Sequence, residues 1–431
     1  MRYCSRCLYP ANHPLHLTFD DAGVCSGCRI HEEKDALDWE ERFERLRNIV
    51  DGFRSPGGRR HDCIVPVSGA RDSHFIVHVV KNKLGLNPLL VSYNKHYNTK
   101  RGIRNLAYLR TLFDCDFLMQ TVSPETVKRI TRATLRLMGS MYWHCLAGET
   151  AYPVQVAVRL KIPLIIWGAH QGLDQVGMFS HLDEVEMTRK YRKEHDLMGF
   201  EAEDVLAAAP EIAERDMLHF VYPHERQLAS VGVRGIYLGN YIRWDSKAQH
   251  EAMIDAYGYE TAAQARTFDT YNDVDSFHYS GVHDFIKYIK HGYGKVTDHA
   301  VRELRFGRLT REQGIELVRM HRDMAPPADL RLLLDWLGMP EDEFLETVDR
   351  FRDPRIWTRE DGSWRLLDSV DRHTDDPGTR QARLDATGDC RFRITDGRDP
   401  EAVEDNYVLI GRGWVDDRQD IPGPGRGEGN G

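Results

Sequence analysis

The chain has 431 residues, 41% of them hydrophobic and 29% charged, a composition typical of a soluble globular protein with two or three domains. Its formal net charge of −9 gives no overall basic surface for nucleic acid, and no apolar run approaches the ~20 residues that span a bilayer. The N-terminus, Met-Arg-Tyr-Cys, lacks the apolar core of a signal peptide, so we expect a cytoplasmic protein without nucleic-acid or membrane partners.

Two Cys-x-x-Cys pairs open the chain: Cys4 with Cys7, and Cys25 with Cys28, separated by seventeen residues. Each pair can place two thiolates on one ion, and four thiolates complete the tetrahedron that structural zinc prefers. In a cytosolic chain this spacing favours Zn²⁺ over disulfides, with an Fe–S cluster or redox dithiols as alternatives. We therefore predict a zinc-binding module over residues 1–35.

Alternating strands and helices follow a linker of helix and loop over residues 36–60. Apolar residues at helical spacing predict the linker helix within 31–53. The domain over 61–250 is then predicted to contain strands at 63–67, 88–93, 117–121, 163–167 and 235–238, and helices at 72–83, 99–113, 124–138 and 150–160. This alternation indicates an α/β fold in which a parallel sheet carries helices on both faces.

The most informative stretch, residues 62–75, reads Asp-Cys-Ile-Val-Pro-Val-Ser-Gly-Ala-Arg-Asp-Ser-His-Phe. A buried strand is predicted to end before a turn at Ser68-Gly69-Ala70, and a helix begins at Asp72-Ser73. Backbone N–H groups and the positive end of the helix dipole then converge, which suits a phosphate group. An ordinary strand–turn–helix junction is the alternative interpretation.

Other predicted strands end in candidate site residues, because ligands of parallel sheets bind at the carboxyl ends of the strands. Tyr93-Asn94 and Trp167-Gly168 fall at two such ends, and Asp245 follows the last strand. A long polar insertion over 168–200 is either a substrate loop or a surface excursion.

A helical region is predicted over 251–355, and its polar residues are too varied for a plain solvent-exposed face. The candidates there are His283, Asp284, Lys287, Lys295, Asp298 and Arg302. The C-terminal extension over 356–431 becomes charged and rich in Gly and Pro, and residues 421–431 are predicted to be disordered.

The spacing Ser-Gly-x-x-Asp-Ser resembles the PP-loop of ATPases that split ATP into AMP and pyrophosphate. Further motifs are the paired Cys-x-x-Cys, Gly-Tyr-Gly-Lys at 292–295, Thr-Asp-His-Ala at 297–300 and Arg-Leu-Thr-Arg-Glu-Gln-Gly at 308–314. With these in order, residues 1–355 resemble the N-acetyl sugar amidotransferase family. Its members are PP-loop ATPases that act in making lipopolysaccharide and nonulosonic-acid sugars. The resemblance implies an adenine nucleotide alpha-hydrolase-like fold.

The same resemblance implies a reaction in which ATP activates an acetamido oxygen and ammonia replaces it, releasing AMP and pyrophosphate. ATP and Mg²⁺ are the implied cofactors, and an N-acetylated sugar is the implied substrate. No glutaminase domain is visible, so the implied partners are a separate glutaminase and a cyclase-like subunit, as in imidazole glycerol phosphate synthase.

The residue roles that the resemblance implies fall into three groups. The pyrophosphate would contact Ser68, Gly69, Ala70, Arg71 and Ser73, with Asp72 orienting the loop or a Mg²⁺. The adenosine would be bordered by Tyr93, Asn94, Trp167 and Gly168. Asp72, Ser73, Lys295 and Asp298 are the catalytic candidates, and the substrate side comprises His170, Asp245, His283, Asp284, Lys287 and Arg302.

Two positions depart from the family pattern. Ala70 stands where a second glycine is usual, which costs about 1 kcal/mol if the position needs a positive φ. Ala169-His170 stands where the family tends to carry an acidic residue and Asn. Two alternatives therefore stay open: a non-catalytic scaffold disabled by Ala70, and a PP-loop sulfur transferase that uses Cys63, Cys115 or Cys145.

Overall fold

The computed structural model describes residues 1–70, 72–374, 376, 390–395 and 414–415, with only the backbone of Phe277 and of the last pair. Arg71 and the tail over 421–431, both named in the sequence analysis, lie outside the described residues. Within the described ranges, no helix combines the length and apolar character needed to cross a membrane.

The N-terminal module is held by short antiparallel bridges, Tyr3 with Pro10 and Phe19 with Cys25. Two helices follow it, α1 (Ser26–Ala36) and α2 (Trp39–Asp51), where one linker helix was predicted. The break between them has a local cause, because the Asp38 carboxylate accepts hydrogen bonds from the backbone of Glu40 and Glu41 and so caps α2.

Five parallel strands form the central sheet, in the order β4-β2-β1-β5-β6. They are β1 (Cys63–Pro66), β2 (Pro88–Tyr93), β4 (Phe117–Gln120), β5 (Leu164–Trp167) and β6 (Arg234–Tyr237). From β1 the strands are added first on one side, as β2 and β4, and then on the other, as β5 and β6. This change of side makes the carboxyl ends of β1 and β5 the expected ligand crevice. The two-residue strand β3 (Tyr97–Asn98) pairs separately with β9 (Trp414–Val415).

Successive side chains of a strand point to opposite faces, and the sheet buries both faces accordingly. Val65 and Leu90 belong to the apolar cluster on one face, whereas Ile64 and Leu89 belong to the cluster on the other. This two-sided burial explains why the strands read as short, continuous apolar runs in the sequence.

The helices around the sheet begin with α3 (Asp72–His78), extended by a π-helical turn at Val79–Lys83, then α4 (Lys100–Leu112), α5 (Pro124–Met138) and α6 (Trp143–Leu160). Helix α6 starts seven residues before the predicted start at residue 150. Its first turns are buried on all sides, so the periodicity of a half-exposed helix is absent from their sequence.

The remaining elements complete the chain. Short helices α7 (Gln171–Asp174), α8 (Arg189–Tyr191), α9 (Ala202–Ala208), α10 (Glu214–Met217) and α11 (Glu225–Val231) precede β6. After it come α12 (Ser246–Tyr257), α13 (Phe277–His291), α14 (Lys295–Arg305), α15 (Arg311–His321), α16 (Pro327–Leu337), α17 (Glu341–Asp349) and the hairpin β7 (Trp357–Glu360) with β8 (Ser363–Leu366).

Helices α14 and α15 pack directly on the N-terminal module. Leu8 and Tyr9 share an apolar cluster with Val296 and Ala300 of α14 and Ile315 of α15. The N-terminal module and helices α14 and α15 therefore meet beside the carboxyl edge of the sheet.

Candidate functional site

The anion loop after β1 is wound tightly against the start of α3. The Ser68 backbone N–H donates to Ser73 Oγ at 2.9 Å, and the Ala70 N–H donates to Ser68 Oγ at 3.1 Å. A Cβ at Gly69 would collide with the carbonyl oxygen of Gly102 in α4, so this close approach requires glycine. Side-chain hydroxyls and a glycine thus fix the shape of the loop.

A cavity of about 500 Å³ opens beside this loop, and we call it the loop cavity. Three strand ends contribute to its wall: Ala70 after β1, Lys95 after β2 and Ala169 after β5. Ala70 does not have a positive φ, so its methyl group causes no backbone strain there. The position of the cavity is the one that a parallel sheet uses for ligands.

Two helices bring six of the predicted residues to the loop cavity. Helix α13 contributes His283, Asp284 and Lys287, and α14 contributes Lys295, Asp298 and Arg302. Within α14 the spacing of three and then four residues places all its contributors on one helix face.

Asp298 connects three parts of the chain. Its Oδ1 accepts from Tyr9 Oη at 3.0 Å and from Gln175 Nε2 at 3.1 Å, and its Oδ2 lies 2.5 Å from Lys287 Nζ. The N-terminal module, the polar insertion and α13 therefore all contact this one carboxylate.

The neighbouring cationic groups are also held in place. Asp284 pairs with Arg266 Nε at 2.7 Å and accepts the Lys295 backbone N–H at 2.5 Å, while Lys295 Nζ donates to Gln264 Oε1 at 2.8 Å. Arg302, which is half-buried, donates to Asp269 Oδ2 at 2.6 Å. These side chains are oriented before any ligand binds, which lowers the cost of binding.

The wall of the loop cavity contains charged residues that sequence reasoning missed: Lys34, Lys95, Glu149, Asp174 and Arg305. Lys95 Nζ lies 3.0 Å from Glu149 Oε1, and Lys34 Nζ lies 2.6 Å from Asp174 Oδ1. Lys95 directly follows the predicted strand end at Asn94, so its position was a usable signal. Lys34 sits in a charged helix whose sequence gives no comparable signal.

Several predicted residues serve the framework of the site. The Tyr93 ring is buried, with its hydroxyl 3.1 Å from His144 Nδ1, and the Asn94 side chain accepts the His96 backbone N–H at 3.0 Å. Asp245 caps α12 and pairs with Arg308. None of these three predicted residues lines the loop cavity.

The other strand-end predictions lie at or near a second cavity. Gly168 packs closely against Ile76: a Cβ added at Gly168 would lie only 2.9 Å from Ile76 Cδ1. Trp167 and His170 line a second cavity of about 410 Å³, which we call the histidine cavity because His13, His170, His195, His283 and His291 are in its wall. It shares six lining residues with the loop cavity: Leu146, Ala169, Gln171, Gln175, His283 and Lys287.

The four N-terminal cysteines form a compact buried cluster whose Sγ atoms all lie within 4.8 Å of one another. The Cys7 and Cys25 sulfurs are 3.7 Å apart, close to the about 3.8 Å expected for a tetrahedron with 2.3 Å metal–sulfur bonds. Backbone N–H groups of Arg6, Cys7 and Cys25 point at Cys4 Sγ at 3.3–3.4 Å. The donor set therefore suits a metal ion.

Comparison with known proteins finds a family match in the helical region that contributes to the loop cavity. Residues 265–371 match the family model described as LPS biosynthesis protein WbpG-like, C-terminal domain. The match fits the N-acetyl sugar amidotransferase family and confirms the resemblance found in the sequence. It covers α13 and α14, the two helices that line the loop cavity together with Ala70.

Two other similarities are more limited. An uncharacterised protein of Methanocaldococcus jannaschii is 25% identical over 116 residues, which span 27% of this chain and 41% of that protein. A solved structure of the NH3-dependent NAD synthetase from Campylobacter jejuni, in complex with the nitrate ion, aligns with 12% identity and a TM-score of 0.26. That alignment covers 45% of this chain and 92% of the synthetase. The α/β fold of this chain is shown by its own five-stranded parallel sheet.

Proposed function

We propose that this protein is an ATP-using enzyme of sugar metabolism, and specifically an amidotransferase that converts the acetamido group of an N-acetylated sugar into an acetamidino group. One observation carries the proposal: six polar residues of α13 and α14 line the same cavity as Ala70 of the anion loop after β1. The match of the α13–α14 region to a lipopolysaccharide biosynthesis domain supports a sugar as the acceptor.

The chemistry explains why ATP is needed. An amide oxygen is a poor leaving group, so it first attacks the α-phosphorus of ATP and pyrophosphate departs. Ammonia then adds to the imidate carbon, loses a proton, and AMP leaves with the former amide oxygen. The carbon–oxygen bond is replaced by a carbon–nitrogen bond, and no oxidant or reductant is needed.

The charges around the loop cavity suit this sequence of steps. Among the residues that the structure describes, six with cationic side chains line it: Lys34, Lys95, Lys287, Lys295, Arg302 and Arg305. They would attract polyphosphate and stabilise the negative charge that develops as pyrophosphate leaves. Carboxylates in the same wall, including Asp298 beside Lys287, would orient the lysines and accept the protons released when ammonia adds.

The proposed enzyme would also need two metal ions, Mg²⁺ and Zn²⁺, and a source of ammonia. Mg²⁺ would neutralise phosphate charge at the loop, where Asp72 at the start of α3 is the candidate ligand. Zn²⁺ would occupy the Cys4–Cys7–Cys25–Cys28 cluster in a structural role, because all four positions of a tetrahedron are filled by protein. Ammonia would come from a separate glutaminase acting with a cyclase-like subunit.

The sulfur-transfer alternative finds no support in the site. A sulfur carrier must bring its thiol to the activated substrate, yet none of the eight cysteines, all of which lie in the described part of the chain, lines either cavity. Cys63 is buried in the sheet and Cys145 is fully buried beside His144.

The direct test is formation of AMP and pyrophosphate from Mg-ATP and ammonium across a panel of N-acetylated nucleotide sugars. We expect AMP only with the correct acceptor, at least ~100-fold slower in Asp298→Asn, and unchanged in the exposed turn variant Asp361→Asn. AMP release that requires sulfide, or the same rate in Asp298→Asn, would refute the proposal.

A further inference from the structure

The histidine cavity concentrates buried polar atoms without hydrogen-bond partners. Among the described residues, these atoms include both ring nitrogens of His170, Nε2 of His13 and His195, Nδ1 of His283, Trp167 Nε1 and Tyr293 Oη. All of these side chains line the histidine cavity. Buried polar groups normally have partners, so such a concentration indicates a ligand that supplies them.

Two of the unpartnered histidines, His170 and His283, are neutral at pH 7. Burial lowers the pKa of His170 to about 4 and that of His283 to about 4. A neutral imidazole has one N–H donor and one nitrogen acceptor, which matches a hydroxyl group that can donate and accept. The cavity therefore favours a ligand with several hydroxyl or amide groups.

The charged groups in the same wall are largely satisfied within the protein. Arg192 pairs with Glu201, Lys290 Nζ donates to the Met138 carbonyl oxygen at 2.8 Å, and Asp196 Oδ1 lies 3.4 Å from His195 Nδ1. A charged ligand is therefore not needed to balance the wall, and an uncharged ligand is favoured.

Aromatic surfaces supply the remaining contacts. The rings of Tyr191 and Tyr237 pack at 4.1 and 4.6 Å from the His170 ring, and with Trp167 they line the cavity. A lining of aromatic faces with scattered hydrogen-bonding atoms suits a ring that has apolar faces and hydroxyl groups on its edge.

From these observations we propose that the histidine cavity binds an uncharged glycosyl ring, and that His170 and His195 are specificity-determining residues. The inference rests on the proposed function, because the ring is that of the acceptor sugar. The residues shared by the two cavities, His283 and Lys287 among them, would let the acetamido group of this ring reach the loop cavity. His170 is also one of the two departures from the family pattern, which fits a role in acceptor choice.

The test measures binding by saturation-transfer NMR and calorimetry on the full chain without ATP, with N-acetylglucosamine as the probe. His170→Phe and His195→Phe keep an aromatic ring but remove the ring nitrogens, and each should weaken probe binding at least about tenfold. His224→Ser is the matched control, because exposed His224 caps α11 and serine keeps a capping oxygen.

Affinity for ATP should stay within about twofold in all three variants, which also shows that they are folded. Equal probe binding in wild type and both phenylalanine variants would overturn the inference, as would absence of probe binding to wild type. Displacement of the probe by adenosine would assign the histidine cavity to the nucleoside instead and overturn it too. Because no turnover is needed, probe binding without AMP formation would refute the proposed function alone.

Discussion

Ala70 is the residue at which the anion loop departs most visibly from the PP-loop pattern. Its φ is not positive and its side chain faces the loop cavity. An alanine in this conformation restricts the unfolded chain more than glycine does, and so stabilises the fold.

We therefore expect Ala70→Gly to lower the free energy of unfolding by about 0.4–1 kcal/mol and to leave the KM for ATP within about threefold. Denaturant unfolding and initial rates of AMP formation measure the two quantities. A variant that gains ATP binding absent from the wild type would instead support the scaffold alternative.

Buried histidines make stability depend on pH. In the folded state burial lowers the pKa of His170 to about 4, below the unfolded value of about 6.5, so the unfolded chain binds more protons between these pH values. Stability contributed by the neutral ring is therefore complete above pH 6.5 and is lost as the pH falls toward 4.

For one such group the free energy of unfolding should fall by about 1.4 kcal/mol per pH unit between pH 6 and 5. His170→Phe should reduce the measured slope by about that amount, as judged by denaturant unfolding at the two pH values. A slope identical to that of the wild type would show that folding does not shift the pKa of His170.

At the scale of secondary structure, the loop between β1 and α3 depends on its contact with α4. Because a Cβ at Gly69 would meet the Gly102 carbonyl oxygen, Gly69→Ala must displace backbone rather than a flexible side chain. We expect loss of ATP binding by at least about tenfold, measured by calorimetry, and a lower midpoint of unfolding.

Gly52→Ala is the matched control for this prediction. Gly52 follows α2, has φ near −67°, and a Cβ there would lie 3.4 Å from the Ile49 carbonyl oxygen. This variant should bind ATP as the wild type does. Normal ATP binding by Gly69→Ala would show that the loop can shift without consequence.

The N-terminal module is the second element on which the site depends. Tyr9 donates to Asp298, Arg305 Nη2 lies 3.8 Å from Cys25 Sγ, and Arg311 donates to the Cys7 carbonyl oxygen. If the four cysteines hold the proposed ion, its loss would loosen these contacts, since metal binding and folding are coupled in such clusters.

Cys28→Ser should therefore lose one equivalent of zinc, lower the unfolding midpoint by at least about 5 °C and reduce AMP formation. Elemental analysis, calorimetry and rate assays measure these effects. Cys115→Ser, outside the cluster, is the control. Full activity in the metal-free Cys28→Ser protein would contradict the structural role, and stoichiometric iron in the wild type would contradict zinc.

The elements were largely predictable because their causes are local. All five strands of the sheet lie within one residue of their predicted bounds at each end, since short buried runs between turns are visible in the sequence. Helix α6 was predicted too short because its buried first turns lack periodicity. The polar set on α13 and α14 stood out because its residues are chemically varied.

Other parts of the site depend on contacts between distant segments, which one sequence does not reveal. Lys34 reaches Asp174, and Lys95 reaches Glu149, across separations that depend on the final fold. The histidine cavity likewise draws on residues from His13 to Tyr293. Each of these residues, taken alone, has the properties of an ordinary buried or surface side chain.

At the scale of the whole molecule, two adjoining cavities lie where three parts of the chain meet. The loop cavity and the histidine cavity are lined by residues of the N-terminal module, of the sheet's carboxyl edge and of helices α13 and α14. In the reaction that we propose, the amide oxygen of the acceptor attacks the α-phosphorus of ATP. That step determines where the oxygen atom goes, because AMP leaves with it.

The most direct test supplies an N-acetylated acceptor labelled with ¹⁸O in its acetamido carbonyl, together with ammonium and Mg-ATP. Mass spectrometry should find the label quantitatively in AMP and an amidine nitrogen in its place in the product. Release of ADP, or AMP without the label while the acceptor keeps its oxygen, would contradict the account.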